Sequence, residues 1–441
     1  MQGFLANAGW IVGFRLANVP LQFALFTLIA WHYALAQVGT YALFNAAWFF
    51  SRQLGPMGLD QSSMRFIPAL VAEGRGAQAR GFEHRARQLV FLTISALSLI
   101  AGIVIYLWDI AALSGLTGWQ FAAGLAALPG YALVSLMAGQ FRARGRIRTG
   151  QWPDSVLVPV IAMVIIQAAA STDQTSLFWL LGAHTVAVWC AVVAYWLLSL
   201  SHLSGTQAPL TAAEISNIRT TSLTIALGGG INALSNRLPL IAVSTIVGTP
   251  AAALYEAAQR VGALGTLGTW AAGTAVSPMM SDAYARKQQD RMQDLLIASS
   301  WTALLPALLM LIVLLPGAGL VLSLFGSEYA AGRWALVALT GFAVINASAG
   351  LASHTFNMTG HEAVVLRFNG AQLLTVLILA PVLTYWFGIA GAAVAVLIAS
   401  MVRDIGMGFL LPSKLALSPG VWSRLGVQRA FSLAKAKIAG S

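Results

Sequence analysis

The sequence predicts an all-α polytopic membrane protein of about twelve transmembrane helices, arranged as two pseudo-symmetric six-helix lobes. Three observations carry this prediction: the composition, a series of long apolar stretches, and an internal repeat. Of the 441 residues, 58% are hydrophobic and only 9% are charged, and the mean hydropathy is +0.76. A soluble protein carries about a quarter charged residues, so the composition excludes an ordinary soluble domain.

The apolar stretches are long enough to cross a membrane, which requires about 20 mostly apolar residues per helix. No positively charged region and no small-residue cleavage site precede the first stretch, so we interpret it as a span and not as a removed signal peptide. The twelve predicted spans are 5–31, 36–58, 89–108, 119–141, 153–171, 177–200, 221–248, 251–275, 295–315, 332–353, 363–386 and 388–411.

The positive charges indicate how the spans are oriented. The chain has 25 Lys and Arg residues against 14 Asp and Glu residues, a net charge of +11. One alternate set of connections, with the C-terminal tail, holds eighteen of the basic residues, and the other set holds only Arg333. Because cytoplasmic loops are rich in Lys and Arg, we expect the basic side and both termini to be cytoplasmic. Loops and tail are then expected to contact anionic inner-leaflet lipid, and not nucleic acid.

The second half of the sequence resembles the first. The clearest match is between "ALPGYALVSLMAGQFRARGRIRTGQ" (127–151) and "ALTGFAVINASAGLASHTFNMTGHE" (338–362). Since each half contains an even number of spans, the halves are expected to run in the same direction through the membrane. We therefore predict an N-terminal lobe at 1–200, a cytoplasmic linker at 201–220, a C-terminal lobe at 221–412 and a basic cytoplasmic tail at 413–441.

Several arginines fall inside the spans or at their edges. A central arginine costs roughly 2.5–3.5 kcal/mol on insertion scales, so such residues are expected to face a wet, protein-lined cavity. Arg15 and Arg237 each lie near an asparagine and a proline, Asn18 with Pro20 and Asn236 with Pro239, and these prolines are expected to bend their helices. The six arginines are Arg15, Arg52, Arg237, Arg260, Arg367 and Arg403.

Few acidic residues are available to neutralise these arginines. Glu256 and Arg260 are four residues apart in the order that favours pairing on a helix. Arg15, Arg52 and Arg237 have no evident partner in the sequence. A surplus of guanidinium groups predicts an anionic ligand, and their planar geometry suits phosphate. The predicted binding residues are Arg15, Asn18, Arg52, Asn236, Arg237 and Arg260, with Glu256 and Asp404 as candidates for coupling to a cation or proton.

Three segments resemble those of a known family. They are "LGPMGLDQSSMRFIPAL" (54–70), "LFGSEYAAGRWALVAL" (324–339) and "FNMTGHEAVVLRFN" (356–369). With the twelve spans, they make the chain similar to the MOP flippase superfamily, in particular to polysaccharide-biosynthesis (Wzx-type) flippases. The resemblance implies export of an undecaprenyl-diphosphate-linked oligosaccharide across a bacterial inner membrane by alternating access, for O-antigen, capsule or exopolysaccharide. It also implies cationic cavity residues, which places Arg15, Arg52 and Arg260 on the expected spans, and a functional link to the polysaccharide polymerase machinery.

Two other functions remain open from the sequence. A MATE-like cation-coupled drug antiporter would need unpaired carboxylates in its cavity, and Glu256 and Asp404 are the candidates. A membrane enzyme acting on lipid-linked sugars is less favoured, because the chain has no HExxH motif, no cluster of aspartates and no long loop on the non-basic side. With one cysteine, Cys190, no disulfide is possible within the chain. We expect no cofactor, no metal and no catalytic residue, and a monomer.

Overall fold

The computed structural model describes residues 2–108, 116–203, 205–349, 351–418 and 421. Within these residues the chain is helical throughout, which confirms the all-α prediction. Contacts divide it into two compact units, unit 1 (Met1–Ala233) and unit 2 (Leu234–Ser441). Among the described residues, seven helical segments are long and apolar enough to cross a membrane by length and composition.

Unit 1 is built from long helices joined by short turns. Its helices are α1 (Gln2–His32), α2 (Leu35–Leu54), α3 (Leu59–Ala72), α4 (Gly76–Leu107), α5 (Gly118–Leu125), α6 (Ala127–Ala143), α7 (Ile147–Trp152), α8 (Val158–Ala170) and α9 (Leu177–Leu203), with a π-helical turn at Pro153–Leu157 between α7 and α8. Helix α10 (Ala212–Ile246) begins in unit 1 and contains the boundary with unit 2.

Unit 2 continues from α10 with helices of the same kind. They are α11 (Thr249–Ala263), α12 (Leu267–Ala285), α13 (Gln289–Leu322), α14 (Arg333–Ser348), α15 (Ala352–Met358), α16 (Glu362–Ser400) and α17 (Gly406–Leu415). Short 3₁₀ turns lie at Leu264–Thr266, Ser323–Phe325 and Ser327–Gly332, and a π-helical turn lies at Met401–Ile405.

The predicted spans correspond to the long helical segments, with differences at their ends. The predicted break between the last two spans is confirmed, because Gly388 has φ 58° and ψ −138° within α16. The second span ends earlier than predicted, at Leu54, because the chain turns at Gly55–Gly58 and starts the separate helix α3. Pro20 and Pro239 lie within α1 and α10, and both helices continue through them. The bend expected at these prolines stays a prediction.

Each unit has its own apolar core. In unit 1, Ile67 of α3 and Leu136 of α6 are fully buried and pack with Phe82 of α4. In unit 2, Leu296, Phe356 and Met407 form a comparable cluster. Elsewhere in unit 2 the buried contacts are made by small side chains such as Ala395 and Ala399, which allow membrane helices to approach closely. The charged side chains described below lie among these packed helices.

The predicted tail, 413–441, falls mostly outside the described residues. Helix α17 ends at Leu415, and the described residues continue to 418. There Gln293 of α13 donates a hydrogen bond to the carbonyl oxygen of Ser418 at 2.9 Å and accepts one from the Ser418 backbone N–H at 2.7 Å. The first residues of the predicted tail are thus packed against α13. The domain boundaries proposed from the sequence stay a prediction.

Candidate functional site

A cluster of three charged side chains lies in unit 2 on the hairpin of α10 and α11. Arg237 of α10 contacts Glu256 of α11 at 3.3 Å between Nη1 and Oε2. Arg260, one turn further along α11, contacts the other carboxylate oxygen of Glu256 at 3.0 Å through its Nε. The predicted Glu256–Arg260 pair is therefore confirmed. We call Arg237, Glu256 and Arg260 the arginine cluster.

The local sequence explains why these groups meet. Gly248 has φ 112°, a conformation that L side chains rarely adopt, and Pro250 follows at the start of α11. This turn folds α10 and α11 back on each other. Arg237 lies 11 residues before Gly248 and Glu256 lies 8 residues after it, and the hairpin brings the two side chains into contact. Gln259, on the same stretch of α11, donates to the Asn236 carbonyl oxygen at 3.2 Å.

The arginine cluster has two positive groups and one negative group. Glu256 is 2% exposed, and the Arg237 and Arg260 side chains are 14% and 16% exposed. The three side chains are therefore largely removed from solvent, where Coulomb interactions are strong. One carboxylate thus contacts both guanidinium groups. Together the two arginines present many N–H donors within one buried cluster.

Two neutral polar atoms lie next to these residues in the chain. The Tyr255 hydroxyl and Gln259 Oε1 are buried and have no hydrogen-bond partner among the described residues. Buried polar atoms are normally satisfied by protein or water. Their presence beside the arginine cluster indicates a polar interior in this part of unit 2.

Arg52 of unit 1 differs from its prediction. It forms an ion pair with Asp154, which lies in the π-helical turn at Pro153–Leu157. The expectation that Arg52 and Arg237 lack partners was therefore wrong for both residues. Asn18 donates to the Ser155 carbonyl oxygen at 2.7 Å, so α1 is hydrogen-bonded to the same π-helical turn. The side chain of Arg15 lies outside the described residues, and its predicted role is untested.

Asp404, one of the two predicted coupling carboxylates, lies in the π-helical turn at Met401–Ile405 of unit 2. Arg403 contacts it through two nitrogens, at 2.7 Å and 2.9 Å, and the Asn346 amide donates to it at 3.1 Å. Arg403 also donates to Gln372 Oε1 at 3.0 Å. Asp404 is 3% exposed, so it belongs to a buried, hydrogen-bonded network. Arg367, in contrast, is exposed on α16.

A further buried ion pair was missed by the sequence analysis. Glu83 of α4 is fully buried and accepts two hydrogen bonds from Arg144, at 2.6 Å and 2.9 Å. Arg87, one turn along α4, donates to Gln140 at 2.7 Å and to Ser199 at 3.0 Å. Glu83 and Arg144 are 61 residues apart, so no sequence spacing predicts that they meet. A buried carboxylate requires a cation or hydrogen-bond donors, and Arg144 supplies both. This network joins α4 to the end of α6.

Trp48 of α2 is a core residue of unit 1. Trp48 is 1% exposed, and its Nε1 donates to the Gly124 carbonyl oxygen at 2.8 Å. Its ring stacks on His184 and Tyr131 at centroid distances of 5.1 Å and 5.5 Å. Tyr41 completes this cluster through a 3.0 Å contact between its hydroxyl and His184 Nε2. Trp270 of α12 in unit 2 is partly buried.

Within the part of the chain that the structure describes, no group of three or more His, Cys, Asp or Glu residues is arranged to hold a metal ion. No protein-family model and no curated protein matches the chain. Solved structures, however, match it over nearly its whole length. An inward-facing multidrug resistance MATE family transporter of the MOP superfamily gives a TM-score of 0.74 at 15% identity, covering 90% of this chain and 94% of that chain. The fold is that of the MATE-type MOP transporters.

Two other structures with the MOP fold extend the comparison. An outward-facing MATE family transporter gives a TM-score of 0.61 at 16% identity, over 91% of this chain and 93% of that one. A MOP superfamily transporter from Pyrococcus furiosus, described as having a binding pocket of reverse polarity and a different function, gives a TM-score of 0.58 at 16% identity over 94% of each chain. The MOP fold and a multi-pass membrane architecture are thus shown for this chain. The Wzx-type subfamily stays a prediction.

Proposed function

We propose that this protein is a flippase that moves an undecaprenyl-diphosphate-linked oligosaccharide from the cytoplasmic to the periplasmic leaflet of a bacterial inner membrane. The observation that carries the proposal is the arginine cluster, in which two largely buried guanidinium groups share one carboxylate. Two neighbouring guanidinium groups in a largely buried site suit an anionic group. The oxygens of a diphosphate can accept several hydrogen bonds at once from the planar guanidinium groups of two arginines.

The proposal now depends on fewer residues than the sequence suggested. Arg52 and Arg403 are each matched by one carboxylate, so neither contributes a surplus of charge. Arg237 and Arg260 differ from them, because the two guanidinium groups contact the same carboxylate. We therefore assign the diphosphate to Arg237 and Arg260, held in register by Glu256, and keep Arg15, Asn18 and Asn236 as supporting candidates.

Alternating access is the transport mechanism that the fold supports. Related MATE family transporters have been solved in inward-facing and outward-facing conformations. A head group carrying negative charge would move outward with the help of an inside-negative potential, which contributes about 2.3 kcal/mol per charge per 100 mV. In this mechanism the arginine cluster binds the diphosphate, while the lipid tail stays in the bilayer.

Drug export by cation exchange is the second candidate, because the MATE structures it resembles include a multidrug resistance transporter. Such exchange needs a carboxylate that is free to bind and release a cation or proton. Glu256 contacts two guanidinium groups, and Asp404 contacts one guanidinium and one amide. Both candidates are already engaged, which favours the anionic substrate. The reverse-polarity pocket described for the Pyrococcus furiosus transporter indicates that this fold can serve more than one kind of substrate.

A complementation experiment tests the proposal. The gene and its variants are expressed in a bacterial strain that lacks its own oligosaccharide flippase and uses a matching sugar repeat, and surface polysaccharide is measured. We expect Arg237→Ala and Arg260→Ala each to reduce polysaccharide at least tenfold at normal protein abundance, because one lost charge-assisted contact is worth about 1.5–3 kcal/mol. Arg15→Ala is expected to act in the same direction.

The matched control is Arg367→Ala, which removes an exposed arginine from a long helix of the same unit. It should leave polysaccharide at the wild-type level. Normal polysaccharide in the Arg237 and Arg260 variants would overturn the diphosphate assignment. Resistance to cationic drugs conferred by the wild-type protein, without complementation, would favour the antiporter.

A further inference from the structure

A cavity of about 480 Å³ is lined entirely by residues of unit 1 and lies apart from the arginine cluster of unit 2 in the sequence. It lies between the turn that follows α2, the first turns of α4 and the start of α10. Its walls are apolar and include Phe82, Leu89, Leu210, Ile215 and Leu223. Three of these side chains are also exposed at the surface, Leu89 by 52%, Ile215 by 46% and Leu223 by 51%. We call this cavity the linker groove.

The segment that precedes α10 forms one wall of the linker groove and is fixed to α4. The Ala208 backbone N–H donates to the Ala77 carbonyl oxygen at 3.0 Å. Arg80 donates to the Thr206 carbonyl oxygen through two nitrogens, at 2.9 Å and 3.1 Å. Gly81 allows close approach, because a Cβ at this position would overlap the Ala208 carbonyl oxygen. This wall of the linker groove is therefore held in place by hydrogen bonds to α4.

The first turn of α10 is fixed in the same way. Arg75, just before α4, forms an ion pair with Glu214 at 2.6 Å. Glu214 also accepts the Thr211 backbone N–H at 2.9 Å, which caps the start of α10. The backbone N–H of Thr211 and the Arg75 guanidinium together lower the pKa of the Glu214 carboxyl below its usual value. Further along α10, Ser222 donates to Ser62 of α3 at 2.8 Å.

Two arginines that line the linker groove differ in their contacts from the other arginines close to it. Arg85 and Arg219 are exposed, and neither has a hydrogen bond or ion pair to any other described residue. Arg75 and Arg80, close by, are both engaged. Arg85 lies on α4 and Arg219 on α10, in connections between predicted spans whose basic residues predict a cytoplasmic location. The groove thus combines an apolar interior with two available positive charges on the leaflet that is richest in anionic lipid.

We propose that the linker groove binds an anionic phospholipid, with one acyl chain between α4 and α10 and its phosphate on Arg85 and Arg219. The charge complementarity selects this occupant. The C-terminal tail is an unsuitable occupant, because Lys435 and Lys437 would bring positive charge to two arginines. The proposal does not rest on the proposed transport function. A bound lipid would join α4 to the docked segment at 205–211 and so stabilise its contact with unit 1.

The test measures lipid binding directly. The purified full chain in detergent is titrated with phosphatidylglycerol, and bound lipid is counted by native mass spectrometry. A basic residue near a membrane surface contributes roughly fivefold in affinity for anionic lipid, so we expect Arg85→Ala/Arg219→Ala to weaken the first binding event roughly 25-fold. The control Arg65→Ala/Lys414→Ala removes two exposed charges elsewhere on the same side and should change binding less than twofold.

Two further experiments distinguish the contribution of the acyl chain to binding from that of the head group. Ile215→Trp fills the groove while keeping both arginines and is expected to abolish the first phosphatidylglycerol site without lowering the melting temperature. Phosphatidylcholine and inorganic phosphate are expected to compete poorly. Equal binding of phosphatidylcholine, displacement of the lipid by phosphate alone, or unchanged affinity in the Arg85/Arg219 variant would each overturn the proposal. If the Arg85→Ala/Arg219→Ala variant does not fold, the proposal is tested by the Ile215→Trp variant and by the competition experiments with the wild-type chain.

Discussion

Charge balance at single residues is the feature that distinguishes one buried site from the others. Arg52 with Asp154 and Arg403 with Asp404 are one-to-one pairs, whereas Arg237 and Arg260 share Glu256. Removing one partner of a buried ion pair usually costs more than the pair itself contributes, because a charge is left in a poorly solvating environment. Glu256 therefore stabilises two charges at once, and its removal should be more harmful than removal of either arginine.

A double-mutant cycle tests this reasoning. We expect Glu256→Gln to lower the free energy of unfolding by about 3–5 kcal/mol, since two guanidinium groups would be left together without an anion. Combining it with Arg260→Gln should cost less than the sum of the single changes, by about 1–3 kcal/mol. Thermal unfolding in detergent measures both effects. Arg367→Gln, at an exposed position, serves as the control, and strict additivity of the Glu256 and Arg260 changes would contradict the shared-carboxylate interpretation.

The sequence could predict some of these pairs and not others, for a physical reason. Glu256 and Arg260 lie one turn apart on a single helix, so their spacing alone brings them together. Arg237 and Glu256 meet because they flank the turn at Gly248. A hairpin with its turn at this glycine would therefore have predicted the contact from the sequence. Arg52 and Asp154 are 102 residues apart, and only the packing of separate helices decides that they meet.

At the scale of elements, the pairs Arg52–Asp154 and Arg403–Asp404 occur where the helix ladder is irregular, whereas the buried pair Glu83–Arg144 does not. Asp154 lies in the π-helical turn Pro153–Leu157, and Asp404 lies in the π-helical turn Met401–Ile405. Such turns carry an extra residue and often accompany functional sites. Their position was not predictable from hydropathy, because the apolar pattern continues through them. By contrast, the break at Gly388 was predictable, since a glycine interrupts an apolar stretch too long for one span.

The glycine turn after α2 provides a prediction at this scale. Gly58 has φ 76°, and a Cβ there would overlap the Ser222 carbonyl oxygen of α10. Gly74, after α3, has φ 74° and open space around it. We expect Gly74→Ala to cost about 1 kcal/mol through backbone strain alone, and Gly58→Ala to cost about 3 kcal/mol or more because helix packing is also disturbed. Melting temperatures of the two purified variants give the comparison, and similar losses would show that contact with α10 is unimportant.

At the scale of the whole molecule, composition and hydropathy were sufficient to predict an all-helical membrane protein, because the bilayer permits few other architectures. The MOP fold was predicted from the resemblance of three segments to that family. The division into units was harder to predict. The polar stretch 201–220 suggests a separate linker, yet residues such as Ala208 and Thr206 pack onto α4 of unit 1. The contact boundary falls inside α10, between Ala233 and Leu234. Polarity identifies exposed segments well, but it does not indicate which neighbour they pack against.

The orientation of the protein in the membrane is predicted from the charge distribution of the entire chain. Because the loops that carry the basic residues are expected to be cytoplasmic, the segment 205–211 should lie inside and the turn at 171–176 outside. In a Cys190→Ala background, single cysteines at Gln207 and Ser171, both exposed positions, report the side of each segment. We expect a membrane-impermeant maleimide to label Ser171→Cys in intact cells and Gln207→Cys only after permeabilisation. The opposite pattern would reverse the orientation and place the linker groove in the other leaflet, while labelling of both positions in intact cells would contradict a fixed topology.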